Sequence, residues 1–359
     1  YVPDNLDTSP THPLYWVFSD HNIVGDGSGW KNTVTGETGD YPLSLPKPGG
    51  AKGLKQLTKE NNVKLIAALG GWSMSKHFPD VVADPVKRAR LVQDCATLID
   101  MGFDGIDIDW EFPGPFAGMN FTGTQADYTN FAILVEEIRE AIGSDKIITA
   151  AFNTSPSKLN GFDWPRISQV MDYFNIMSYD MHGGWSDKAG HNSPLYPSPG
   201  ASAGNESWDT TYNYLISQGV NPNQILMGVG FYGRGVITNG AAALNAPTVK
   251  VSKNIQPDGL VMTAGDFDNW GAFDATPFYN FIEDNKAGWT EHWDSIAKVP
   301  YLTKNDRFLS FDNEQSIELK ADYVNNNNIG GVIVWQVFGD LNPGPITQTY
   351  ASKLPHAPS

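Results

Sequence analysis

Cysteine is nearly absent: Cys95 is the single one in 359 residues, so no disulfide can form within the chain. It lies in an apolar helical pattern and reads as an inert core thiol. Long apolar runs are missing too, and none approaches the ~20 residues that a membrane helix needs. No targeting segment is visible at the N-terminus. Basic residues are scarce, 24 against 40 acidic ones, and the net charge of −16 would repel the phosphates of nucleic acid. That charge does not oppose a neutral polysaccharide. Histidines are few, and His21, His77 and His182 lie too far apart in sequence to argue for a metal site.

What is present describes a large folded core. Apolar residues make up 40% of the chain and aromatics 12%, which excludes disorder. Eleven Trp and fourteen Tyr suit stacking on sugar rings, although aromatics more often serve as core.

Leu14 to Phe18 is a short run rich in β-formers, and Trp30 to Gly50 reads as a long loop after it. A helix is expected over Ala51–Glu60 and a buried strand over Val63–Leu69, ending in Gly70-Gly71-Trp72-Ser73. Two glycines there let the backbone turn tightly or approach a ligand. Trp72, just past them, reads as a sugar platform rather than core. Asp84-Pro85 opens a helix whose inner face is Val86, Leu91, Cys95, Leu98 and Ile99. Tyr128–Ile142 is a second amphipathic helix, closed by Gly143. Further strands are expected over 147–152, 173–177, 224–230 and 331–336, with a helix over 316–325. Strands that alternate with helices and are apolar on both faces imply a parallel sheet covered by helices. The count favours a closed (β/α)8 TIM barrel, for which the length is ordinary. The opening Tyr1-Val2-Pro3 resembles the tail of a first barrel strand, so upstream residues are expected. Between Arg234 and about Arg307 the rhythm breaks. Thr248 to Val251 and the aromatics Trp270, Phe273, Phe278, Tyr279 and Trp289 read there as a small α+β insertion. The expected division is a barrel over 1–234 and 307–359 with an insertion over 235–306.

The segment Phe103-Asp104-Gly105-Ile106-Asp107-Ile108-Asp109-Trp110-Glu111-Phe112 stands apart. Read as a strand, it puts Ile106, Ile108 and Trp110 on one face and Asp107, Asp109 and Glu111 on the other. Carboxylates about 7 Å apart along one face raise one another's pKa, and burial raises them further. At least one should hold a proton near neutral pH, which is the equipment of a general acid. The alternatives are the wet face of an antiparallel sheet and a calcium loop. The flanking Gly102 and Pro113 and the preceding helix oppose the first. The missing Gly and Glu spacing opposes the second.

Asp104-x-x-Asp107-x-Asp109-x-Glu111 resembles the signature of glycoside hydrolase family 18, the chitinases and their relatives. Other segments match that family in order over nearly the whole chain. The resemblance implies a barrel with the insertion domain between strands 7 and 8, and a chitinase that needs neither cofactor nor metal. Asp109 and Glu111 on one strand and one face could not easily flank a sugar as the carboxylates of ordinary glycosidases do. The family's nucleophile is the substrate's own 2-acetamido oxygen.

Carried over by position, Glu111 is implied as acid and then base, and Asp109 as the group orienting the acetamido N–H. Asp107 would share a proton with Asp109, and Asp104 would support the strand end. Tyr179 would donate to the acetamido oxygen, with Met177 and Asp180 as sugar contacts. Trp335 would form the floor, Trp72 and Trp185 would stack neighbouring sugars, and Tyr232 and Arg234 would line the groove. Tyr179 and Trp335 could instead be core, and Arg234 could be a salt bridge to the insertion. The family's strand before Gly70-Gly71 usually carries a serine where this chain has Ala68, which removes a hydroxyl near the innermost Asp. The implied partner is chitin or a chitooligosaccharide, met outside the cell because the substrate is a polymer. The chain itself is expected as a monomer or as part of a larger multidomain chain or assembly. A chitin-binding lectin or scaffold subunit and an endo-β-N-acetylglucosaminidase are the competing readings.

Overall fold

The computed structural model describes residues 30–31, 38–39, 54–100, 102–119, 121–249, 276–341 and 344–354. Tyr1-Val2-Pro3, the strand expected at Leu14–Phe18, His21, Trp270 and Phe273 lie outside those residues. Two compact units emerge. One takes residues before Phe152 together with Gly161–Asp172; the other takes Phe152–Asn160 and residues from Tyr173 on.

In the first unit, helix α1 (Leu54–Glu60) leads to strand β1 (Ile66–Gly70), and helices α2 (Phe78–Ala83) and α3 (Pro85–Asp100) lead to strand β2 (Gly105–Asp109). Helix α4 (Ala126–Ile142) then leads to strand β3 (Ile147–Phe152). The strands pair in parallel in the order β1-β2-β3, with Ala68 opposite Asp107 and Asp107 opposite Thr149. Strand β1 starts later than its apolar run, because the Val63 amide is spent on the Thr58 carbonyl at the end of α1. Strand β2 stops at Asp109, short of the expected Phe112. Gly70 and Gly71, both at φ 101°, turn the neighbouring chain away, and the Gly71 amide takes the Asp109 carbonyl at 2.6 Å. A side chain at Gly70 would run into that carbonyl and the Phe78 ring.

Asp84 caps α3 by accepting from the Val86 and Lys87 amides at 2.8 and 3.1 Å. Leu91, Cys95 and Leu98 are buried as expected, but Val86 is 68% exposed. Five residues before Leu91, it falls about 140° around the helix from that stripe. Arg88 locks α3 to α4 through both oxygens of Glu137, at 2.9 and 3.0 Å. Helix α4 starts two residues before its expected Tyr128, and Gly143 closes it at φ 86°. Its buried face of Tyr128, Phe131, Ala132, Val135, Ile138 and Ile142 follows helical spacing, each large side chain contributing about 1.5–3 kcal/mol.

The second unit has strand β4 (Tyr173–Ile176), helix α5 (Trp208–Ser217), strand β5 (Ile225–Gly230) and strand β6 (Arg234–Ile237). There follow helix α6 (Tyr279–Asn285) and strands β7 (Thr290–Asp294), β8 (Val299–Lys304) and β9 (Arg307–Ser310). Helix α7 (Glu314–Asn326), strand β10 (Gly331–Trp335) and helix α8 (Pro345–Lys353) complete it. Strands β4, β5 and β10 are parallel neighbours in that order. Phe174, Ile176, Ile225, Met227 and Val229 have no exposed surface. The broken rhythm after Arg234 corresponds to a four-stranded antiparallel sheet of order β6-β9-β8-β7. Thr248, expected to begin a strand, makes only an isolated bridge to Thr238.

Helix α7 starts on a reciprocal cap between Asn313 and Ser316. Its Lys320, wholly buried, donates to both oxygens of Asp312 at 2.8 and 2.9 Å and to the Ser193 carbonyl at 2.7 Å. Asp312 takes a further hydrogen bond from Ser316, so this buried charge pair is closed on itself.

Candidate active site

In the first unit the expected alternation holds over β2, for Asp107 and Asp109 but not for Glu111, which lies beyond the strand. Ile106, Ile108 and Trp110 are buried, each 1% exposed or less, and Trp110 stacks on Phe78 with ring centroids 5.4 Å apart. Asp107 and Asp109 face the other way. Thr149, in register on β3, donates its hydroxyl to Asp107 Oδ1 at 2.6 Å. Ala68, in register on β1, has no hydroxyl to offer.

Asp109 is the carboxyl under most pressure. Burial first, and then the charge of Asp107, push its pKa up to about 7, with a hydrogen bond to Glu111 working the other way. Its Oδ1 is buried without a partner. A group poised between its two states at neutral pH can pass a proton either way.

Glu111 stands past the end of β2, so the acids do not all share one strand. Its amide is held by Ser75, whose Oγ accepts it at 2.9 Å. Asp104 sits at the opposite end of β2. It accepts from the Leu65 amide at 2.8 Å and so ties the entry of β1 to that of β2. Trp72, in a short 3-10 turn after the glycines, is 44% exposed.

In the second unit, β4 runs into Met177, Ser178, Tyr179 and Asp180. Gly228 on β5 leaves room for the Tyr179 ring, which a side chain there would meet at 2.8 Å. Tyr179 is buried and meets Tyr232 edge-on at 6.1 Å. Asp180 adopts φ 58°, a left-handed conformation uncommon outside glycine. Asn192 Oδ1 holds its amide there at 2.8 Å. One oxygen of Asp180 accepts from both the Tyr232 hydroxyl, at 2.5 Å, and Arg234 Nε, at 2.8 Å. Burial opposes a charge on Arg234, but the Asp180 carboxylate outweighs it and raises the guanidinium pKa. Burial, and then Asp180, keep the Tyr232 phenol neutral. The guanidinium also lies over the Trp185 ring, 4.9 Å from its centroid. Arg234 is thus an ion-pair partner of the loop after β4. Trp335 closes β10 with its side chain 54% exposed.

Met177, Tyr179, Asp180, Trp185, Tyr232 and Arg234 thus all stand at or just after the C-terminal ends of β4 and β5, as does Trp335 for β10. Among the described residues no group of three or more His, Cys, Asp or Glu could hold a metal ion.

Sequence reasoning missed Ser75, Thr149 and Asn192. Thr149 is the one hydrogen-bonding side chain in the run Ile147-Ile148-Thr149-Ala150-Ala151-Phe152, an oddity that could have drawn notice. For Ser75 and Asn192 no local signal exists.

The family model described as glycosyl hydrolases family 18 matches residues 24–340. Chitinase A1 of Niallia circulans is 30% identical over 376 aligned residues, covering 95% of this chain and 51% of that protein. A probable endochitinase of Caenorhabditis elegans is 30% identical, covering 88% and 51%. The chain thus spans about half the length of these curated relatives. Among solved structures, an Ostrinia furnacalis Group IV chitinase in complex with allosamidin matches with a TM-score of 0.74 at 29% identity, over 83% of this chain and 81% of that one. Chitinase ChiA74 from Bacillus thuringiensis matches with a TM-score of 0.77 at 27% identity, over 95% and 58%. The fold class is the (β/α)8 barrel inferred from the order of strands and helices, and the chain belongs to glycosyl hydrolase family 18.

Proposed function

We propose that the chain hydrolyses β-1,4-N-acetylglucosamine linkages in chitin and chitooligosaccharides, with retention and with help from the substrate itself. The carrying observation is Asp109: half-buried, one buried oxygen unpartnered, crowded by Asp107 and hydrogen-bonded to Glu111. Such a carboxyl suits a substrate that brings an amide N–H for it to accept and then develops positive charge beside it. The relatives named as chitinases support the same substrate class.

In this reading Glu111 gives its proton to the glycosidic oxygen as the bond to the anomeric carbon breaks. The acetamido oxygen bonds to that carbon, forming an oxazolinium ion, while Asp109 holds the acetamido N–H and balances the charge. Water then attacks the same carbon from the vacated side as the carbon's bond to the acetamido oxygen breaks, and gives a proton back to Glu111, so the acetamido group is restored and the anomer is retained. Asp107, held by Thr149, shares the proton of Asp109. Tyr179 is assigned the acetamido oxygen, Trp335 the floor, and Trp72 and Trp185 the stacking of adjoining sugars. Met177, Asp180, Tyr232 and Arg234 complete the sugar contacts, with Asp104, Gly70 and Gly71 in support. Residues 235–306 form the insertion and the remainder the barrel. The enzyme acts outside the cell, where a polymeric substrate is met, as a monomer or as part of a larger multidomain chain or assembly.

The test is product anomer by NMR, immediately after mixing with a chitin hexasaccharide. Early β-anomer is expected. Early α-anomer would mean inversion and overturn the mechanism, and binding without cleavage would make the chain a lectin.

A further inference from the structure

Glu111 presents a problem of support. It lies two residues past the last paired position of β2, so no strand ladder fixes its backbone. A general acid displaced by about 1 Å can lose about 100-fold in rate. Something other than the sheet must hold it.

Ser75 is in place to do so. Its side chain is wholly buried. The hydroxyl accepts the Glu111 amide at 2.9 Å and faces two carbonyls, Gly71 at 2.8 Å and Asp109 at 3.2 Å. With a single proton, it donates to these two in a shared arrangement while accepting the third group. It thus joins the turn after β1, the last residue of β2 and the acid. Ser75 is itself anchored, since its carbonyl takes the Phe78 amide at 3.1 Å where α2 begins. Phe78 in turn stacks on Trp110, the residue between Asp109 and Glu111.

We propose that Ser75 is a positioning residue for the acid, its hydroxyl setting the turn on which Glu111 is presented. The assignment of a reaction step to it rests on the catalytic reading of Glu111, but the backbone restraint does not. No water can replace the hydroxyl without room being made for it, so its loss frees the Glu111 amide rather than exchanging its partner.

The test uses the full chain with Ser75→Ala and two readouts. On a chitin hexasaccharide, kcat should fall about 10- to 100-fold while KM changes about twofold or less, because the groove is kept and the acid is mispositioned. By hydrogen exchange, the Glu111 amide should exchange about tenfold faster or more, while amides in the middle of β2 keep their protection. An unchanged kcat, or a Glu111 amide protected as in the parent, would overturn the proposal. So would equal losses in kcat and affinity. If the parent chain proves inert on chitin, the exchange measurement still decides on the restraint, so the two failures are distinguishable. Should the alanine chain not fold, Ser75→Cys offers a similar shape with a weaker acceptor. An intermediate kcat at unchanged KM would then support the role, and a parental kcat would refute it.

Discussion

Asp312 is a buried aspartate and Asp109 a half-buried one with a buried oxygen, yet they are treated in opposite ways. Asp312 is closed in by Lys320 and Ser316 and has nothing left to offer. Asp109 sits beside the like charge of Asp107 and keeps one oxygen without a partner. Compensating a buried charge yields a rigid joint; declining to compensate it yields a group ready to react. The molecule spends stability at one and not at the other.

Four substitutions would sharpen or break that contrast. The largest effect is expected from Glu111→Gln. It should lower kcat about 10²- to 10⁴-fold while hexasaccharide affinity, read by calorimetry, stays near the parental value. Substantial remaining turnover would remove Glu111 from its role. Next comes Lys320→Ala, which strands Asp312 and should cost about 3–5 kcal/mol of stability in urea unfolding. A loss under about 1 kcal/mol would show that water reaches the pair and relieves it.

Asp109→Asn should lower kcat about 100-fold and yet stabilise the chain above neutral pH. The sign follows from proton counts. Between the ordinary carboxyl value of 3.8 and about 7, folded Asp109 keeps a proton that the unfolded chain has released. Stability therefore falls as pH rises through that window. The asparagine variant escapes this, so its Tm relative to the parent should climb from about pH 4 to about pH 8. A flat difference would mean that Asp109 is not perturbed. The smallest effect belongs to Tyr232→Phe, which deletes one of two donors to the same Asp180 oxygen. About 1.5 kcal/mol is expected in urea unfolding, with Arg234 retaining the carboxylate.

Much of this was legible in the sequence because it depended on period. Alternation over Ile106–Glu111 sorted the apolar residues from the acids, and the strand–helix order set the fold class. Boundaries were less legible. Period does not say where a partner strand turns away, so β2 was expected to include Glu111, which lies beyond it. Val86 was misread as inner face because an apolar residue in the first turn need not share the later stripe. The supports escaped notice for a different reason. Ser75 lies 36 residues from Glu111 and Thr149 lies 42 from Asp107, and hydroxyls are too common for either to signal its partner. Asp180 could be marked as polar at a strand end, but not as held by Tyr232 and Arg234 from more than 50 residues away.

The two ends of the acidic segment, Asp104 and Glu111, flank β2 and should answer to different kinds of selection. Asp104 fastens the entry of β1, so a library at that position, sorted for soluble protein, should be purged by misfolding. A library at position 111, sorted the same way, should pass almost intact and be purged only when turnover is the criterion. A descendant that drifted to Gln at position 111 while keeping Asp104 would still fold and would still be recruited by its family's profile. On the reading of Glu111 as the acid, the four-acid signature is two messages written in one alphabet, one about ancestry and one about livelihood, and position 111 carries the second.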